Sequence, residues 1–179
     1  MRTINGDVIL DIGSNVGIFS ILLSNELKRS NKTAEIICFE PSDTVFKYLR
    51  KNIKLYYHII GNIFTYKYAV SNTNKTNSSS ANIKEIECVS IDTFFNLEKR
   101  ISIIKINCEC HELIALQRMI KTTNAFNPII YIEILNNAPT LLFYNKTSLF
   151  GQIKNFFDDI NYTLIRFDKV NYIAFPIAN

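Results

Sequence analysis

The sequence has no run of about 18 consecutive apolar residues, the length a membrane-crossing helix needs, so no transmembrane span is expected. Its N-terminus, M-R-T-I-N-G-D, lacks the apolar core of a secretory signal. Cys38, Cys88, Cys108 and Cys110 could in principle pair, but without an export signal they read as reduced thiols in a cytoplasmic setting. For the same reason the Asn-X-Ser/Thr triplets at Asn31, Asn74 and Asn145 read as chance in an Asn-rich chain. Tryptophan is absent, and glycine occurs only 5 times. The formal net charge is +4, with no dense basic stripe, so nucleic acid is not an expected partner. Internal repeats and long linkers are also lacking, which leaves one domain over residues 1–179.

What is present is a core-forming chain with order. Hydrophobic residues make up 47% of it, enough for a buried core. D-V-I-L-D-I at 7–12 reads as a strand buried on both faces. A helix is expected over 17–29, with Ile18, Ile21, Leu22 and Leu27 on its apolar side. Residues 35–40 form a second strand, and Pro41 and Ser42 open a helix in which Val45, Phe46, Leu49 and Ile53 recur. A third strand is expected over 63–70, followed by a polar loop at 71–80 and a short edge strand at 85–91. Asp92 reads as the cap of the helix begun by T-F-F-N-L. Then come a strand at 101–109, a helix at 111–121, a strand at 128–135, a helix near 147–160, and strands at 162–167 and 171–177. Strands alternating with helices imply an α/β, Rossmann-like, doubly wound sheet, mostly parallel.

The clearest chemical signal is D-I-G-S-N-V-G at 11–17, where a buried strand turns into a helix. Gly13 can take backbone angles closed to other residues and lets a ligand approach the main chain, and Gly17 permits close helix packing. Asp11, at the strand's carboxyl end, can meet a cation or hydroxyls. Glu40 ends the second strand, where an acid can accept hydrogen bonds from a ribose diol. Together they point to a nucleoside cofactor. The turn lacks the G-x-G-x-x-G that seats a pyrophosphate, so a cofactor without phosphate fits better than a dinucleotide. An NAD-type oxidoreductase is the weaker reading.

These segments, with C-F-E-P-S at 38–42, V-S-I-D-T-F-F at 89–95, I-K-I-N-C-E-C-H-E at 104–112 and I-I-Y-I-E-I at 129–134, resemble in order the motifs of the FkbM family of S-adenosylmethionine-dependent methyltransferases. The resemblance implies a seven-stranded methyltransferase fold with the last strand antiparallel. It also implies S-adenosyl-L-methionine as cofactor, and methyl transfer to an oxygen of a small molecule or carbohydrate. By that resemblance Asp11, Gly13, Ser14, Asn15 and Gly17 form the cofactor loop. Glu40 with Pro41 meets the ribose, and Ala69, Val70 and Ser71 line the adenine. The family carries more chain before the first strand, so the domain is expected to be N-terminally short. Its fourth-strand motif is I-K-I-D-V-E-G-x-E, and here Asn107 replaces Asp, Cys108 replaces Val and Cys110 replaces Gly. Asn107 keeps the shape and hydrogen-bonding capacity of Asp without its charge and is assigned to the cofactor site.

In an extended strand Lys105, Asn107 and Glu109 share one face and Cys108 and Cys110 the other. Lys105 then needs a charged partner, and Glu133 on the neighbouring strand is the expected one. Glu109 and His111, at the carboxyl end of a parallel strand, are the candidates to take a proton from an acceptor hydroxyl. His111 reads equally well as a solvent-facing first-turn residue. C-E-C-H-E supplies too few ligands for a structural zinc site, and Cys38 lies two strands away, so no metal is expected. A second function, a cofactor-binding or protein-interaction domain that keeps the fold without turnover, follows from Asn107 and Cys110.

Overall fold

A computed structural model describes residues 6–58, 60–71, 86–95, 99–135 and 148–177. At its centre lies β1 (Asp7–Ile12), every residue of which is buried. It pairs in parallel with β2 (Ala34–Phe39) on one side and β6 (Ile101–Ile106) on the other. β3 (Ile63–Tyr66) extends the sheet beyond β2, and β7 (Ile129–Glu133) extends it beyond β6. Two antiparallel pairings, β7 with β9 (Asn171–Pro176) and β9 with β8 (Tyr162–Arg166), complete the order β3-β2-β1-β6-β7-β9-β8. The doubly wound, seven-stranded sheet expected from the sequence is therefore present, with its last strand antiparallel.

Two apolar layers sandwich the sheet. Ile9, Ile36 and Cys38 pack on the side of α1 (Ile18–Arg29) and α2 (Asp43–Tyr56) with Leu27 and Leu49. Leu10, Ile12, Phe39, Ile104, Ile106 and Ile132 face the larger core, which includes Leu113, Leu116 and Ile153. These last come from α4 (Glu112–Gln117) and α6 (Leu149–Asp159). The alternation of these positions along each strand is the period of two that sends neighbouring side chains to opposite faces.

Several expectations need correction. The buried face of α1 is Ser20, Ser24 and Leu27, whereas Ile18 and Leu22 are 64% and 63% exposed. Small serines let the helix lie close to the sheet, where Ser20 donates to the buried Asp11 and Ser24 accepts from Gly61 N. The third strand is broken: β3 ends at Tyr66, and β4 (Ala69–Val70) pairs in parallel with β5 (Cys88–Val89) in a separate small sheet. The short helix α3 (Ile91–Phe94) has Ser90 at its N-cap, not Asp92. Asp92 instead accepts from the backbone N–H groups of Lys121 and Thr122, at 3.0 and 2.8 Å. It thus caps α5 (Ile120–Phe126), a separate helix that begins where the one expected at 111–121 was to end. Residues 72–80 of the polar loop and the segment 136–147 lie outside the described residues.

Candidate active site

At the carboxyl ends of β1, β2 and β6 the chain leaves β1 for one face of the sheet and β6 for the other. Crevices form at such switch points. Here the crevice is a cavity of about 280 Å³. Ile12, Gly13, Phe39, Glu40, Pro41, Asn107, Cys108, Glu109 and His111 line it from the strand ends, and Tyr68, Ala69, Val70, Ser71, Ile86 and Cys88 from the β4–β5 side.

The turn after β1 is shaped by contact with β6. Gly13 has φ 73°, and a Cβ there would lie 1.7 Å from the Asn107 carbonyl oxygen, so no side chain fits. Gly13 and Ser14 both donate backbone N–H groups to Phe39 O at 3.0 Å, and Asn107 N donates to Ile12 O at 3.0 Å. Gly17, at φ 87°, packs against α2, with the Leu49 Cδ1 2.6 Å from where a Cβ would sit. Asn15 also takes a left-handed conformation, which asparagine tolerates.

Glu40 is buried and points into the crevice. Its Oε2 accepts from Asn15 N at 3.0 Å, and its Oε1 from Ser42 N at 2.8 Å. Each carboxylate oxygen has a second lone pair, so Glu40 can still accept from a ligand diol.

Lys105 does not pair with Glu133. Its Nζ lies 3.0 Å from Asp11 Oδ1 and donates to Gly13 O at 2.6 Å. The register explains this: Asp11 stands directly beside Lys105 across β1 and β6, whereas on the β7 side Lys105 is beside Tyr131. Asp11 also accepts from Ser20 Oγ at 2.6 Å. Its carboxylate is therefore engaged inside the sheet and does not line the crevice.

Beyond Ile106 the strand ends, so its alternation does not extend to Glu109. Glu109 and Cys110 take φ 51° and 73°, making a left-handed turn at the position where the family motif has glycine. The buried Glu112 holds that turn: its Oε1 accepts from Cys108 N at 2.9 Å and Cys110 N at 3.2 Å. Burial pushes the Glu112 carboxyl above its ordinary range, against the lowering pull of those amides. His111, exposed at the N-cap of α4, has Nδ1 3.3 Å from the carbonyl oxygens of Cys108 and Glu109. Carbonyls only accept, so in the neutral ring they favour the proton on Nδ1 and leave Nε2 with a free lone pair. Burial pushes the Cys108 thiol up, which keeps it neutral. Among the described residues, no group of three His, Cys, Asp or Glu side chains gathers as a metal site.

Of the residues singled out in the sequence, Gly13, Glu40, Pro41, Ala69, Val70, Ser71, Asn107, Glu109 and His111 line the crevice. Asp11, Ser14, Asn15 and Gly17 do not line it; Asn15 N holds Glu40, and Asp11 and Ser14 are buried in the turn behind Gly13. Ile12, Phe39, Tyr68, Ile86, Cys88 and Cys108 were not anticipated as lining. Ile12 and Phe39 end their strands next to Gly13 and Glu40, a proximity visible in the sequence. Cys88 arrives through a two-residue strand, too short to leave a periodic signal.

This strand order, with a crevice at the β1/β6 switch and an acid ending β2, defines a class I methyltransferase fold. The description "Methyltransferase FkbM domain" matches residues 11–164, and the chain belongs to that family. No curated protein sequence matches the chain. Among solved structures, methyltransferase FkbM from Methylobacillus flagellatus superposes with TM-score 0.71 at 17% identity, covering 98% of this chain and 44% of that one. This chain thus spans less than half the length of that relative. A putative rRNA methylase from Clostridium thermocellum gives TM-score 0.62 at 11% identity, covering 98% and 89%. Magnesium protoporphyrin IX methyltransferase from Synechocystis, solved with bound SAM, gives 0.57 at 11%, covering 97% and 71%. At these identities the likeness is one of fold.

Proposed function

We propose that the chain binds S-adenosylmethionine in this crevice and transfers its methyl group to a hydroxyl oxygen of a small molecule or carbohydrate. The observation that carries the reading is Glu40: a buried acid at the end of β2, held by two backbone amides, with acceptor capacity left for a ribose diol. Family membership supports the same reading. The residues fit the cofactor. Gly13 and Asn107 line the crevice side by side, so the methionyl part can pack against the Gly13 main chain and hydrogen-bond to Asn107. Tyr68, Ala69, Val70 and Ile86 offer an apolar slot for adenine.

Bound S-adenosylmethionine supplies an electrophilic sulfonium methyl. The protein's part is to position an acceptor, exclude water and take the acceptor's proton. His111 suits the last task, because its Nδ1–H is held by two carbonyls and Nε2 is left as the base. Glu109 is the alternative base at the same rim. A second reading, cofactor binding without turnover, draws on Asn107, which has no charge where the family motif has a carboxylate.

Melting temperature measured with S-adenosylmethionine, S-adenosylhomocysteine and NAD tests the first step, because a ligand that binds only the folded state raises it. A rise with the adenosyl compounds and none with NAD is expected; the reverse overturns the proposal. Methyl transfer from labelled cofactor to a panel of sugars and small alcohols then separates turnover from binding alone.

A further inference from the structure

We propose that Lys105 is the positioning residue of the cofactor loop: anchored on Asp11, its ammonium holds the Gly13 carbonyl and so fixes the backbone that meets S-adenosylmethionine. The proposal rests on the cofactor reading above. Three observations carry it.

The first is the distance pattern. Lys105 Nζ is nearer to Gly13 O, at 2.6 Å, than to its counter-ion Asp11 Oδ1, at 3.0 Å. Neutralising Asp11 alone would not require the ammonium to reach into the turn. The second is the softness of what it holds. Glycine has more backbone freedom than any other residue, and Gly13 must be glycine because Asn107 leaves no room for a Cβ. The turn is therefore built on the residue least able to fix its own conformation. Its N–H is tied to Phe39 O, and its carbonyl is tied by Lys105. The third is the cost. The lysine side chain is 10% exposed and the Asp11 side chain 0%. Burying such a pair is a poor way to gain stability, since apolar residues of similar size often serve as well. What the pair does supply is fixed geometry at the turn. Ser20 Oγ on Asp11 Oδ2 fixes the anchor in turn.

Lys105 does not line the crevice and is not a catalytic residue. It acts through Gly13, whose backbone forms the crevice wall between Ile12 and Asn107.

The test compares wild-type protein with the double variant Asp11→Asn/Lys105→Met, which leaves no unpaired buried charge. Titration calorimetry with S-adenosylhomocysteine and thermal melts are run on each. The double variant is expected to bind about tenfold to a hundredfold more weakly than wild type, the range for losing a hydrogen bond to a charged group. Its melting temperature should be no lower. Equal affinity in the two proteins overturns the proposal and leaves the cofactor reading intact. Wild-type protein that is folded yet does not bind S-adenosylhomocysteine overturns both. Should the variant fail to fold, wild-type protein with ¹⁵N-labelled lysine decides. A slowly exchanging Lys105 ammonium resonance that shifts on adding S-adenosylhomocysteine supports the proposal, and one that does not shift overturns it.

Discussion

Glu112 Oε1 stands 2.9 Å from the backbone nitrogen of Cys108 and accepts its hydrogen bond. A buried carboxylate thus organises the C-E-C-H-E segment. Glu112→Ala would leave two amides without their acceptor and should cost about 1–3 kcal/mol in a denaturant melt. Glu112→Gln keeps an acceptor oxygen and should cost less.

The same residue predicts a pH dependence. Burial raises the folded-state pKa of Glu112. A group that holds its proton more tightly when folded stabilises the fold at low pH, and that contribution is lost as pH rises through its folded pKa. Between the ordinary glutamate range and that raised value, wild type should lose stability relative to Glu112→Gln. Melts across acid to neutral pH check this; a difference that does not change with pH would contradict it.

Gly13→Ala should abolish the native turn, because the added Cβ would overlap a backbone oxygen that cannot move without shifting β6. Gly6→Ala is the control. Gly6 also has positive φ, 76°, but a Cβ there meets nothing within 4 Å, so only the left-handed strain of about 1–2 kcal/mol is expected. Circular dichroism and thermal melts of the pair distinguish steric exclusion from conformational strain.

His111→Gln should lower kcat by about 10²–10⁴-fold if Nε2 takes the acceptor's proton. Its affinity for S-adenosylhomocysteine, measured by calorimetry, should change little. Loss of affinity with unchanged kcat would move the role of His111 from proton transfer to binding.

The cysteines should differ in reactivity. Burial, and then the charge of Asp11, push the Cys38 thiol up to about 12. At pH 8 about one molecule in ten thousand would carry that thiolate, the reactive form. Cys38 should resist iodoacetamide until the protein unfolds. Cys88, half-buried on the crevice wall, should react sooner and be slowed by S-adenosylhomocysteine. Peptide mass spectrometry reads both rates.

The sheet order and the D-I-G-S-N-V-G turn were legible because buried parallel strands are near-continuous apolar runs and the turn has a fixed glycine spacing. Helix α1 was misjudged on its buried face because hydrophobic spacing counts side chains, while here the sheet is met by serines that satisfy Asp11 and Gly61 N. The partner of Lys105 was misassigned for a related reason. Periodicity places Lys105 on a face but does not say which neighbouring strand's acid stands in register, and both β1 and β7 carry one. On the β4–β5 wall the short strand at 85–91 and the lining by Ala69, Val70 and Ser71 were legible, but Tyr68, Ile86 and Cys88 were not, because two-residue strands lie below the length at which any period can be read.

The clamp from Lys105 to Gly13 joins residues 92 positions apart in the sequence. Closing so long a loop costs chain entropy before the contact can repay it. During synthesis, therefore, β1, α1 and β2 emerge early without a working turn between them. The crevice takes shape only once β6 has threaded in beside β1. Ligand capture would then be a marker of completed folding, arriving with the last central strand rather than with the first.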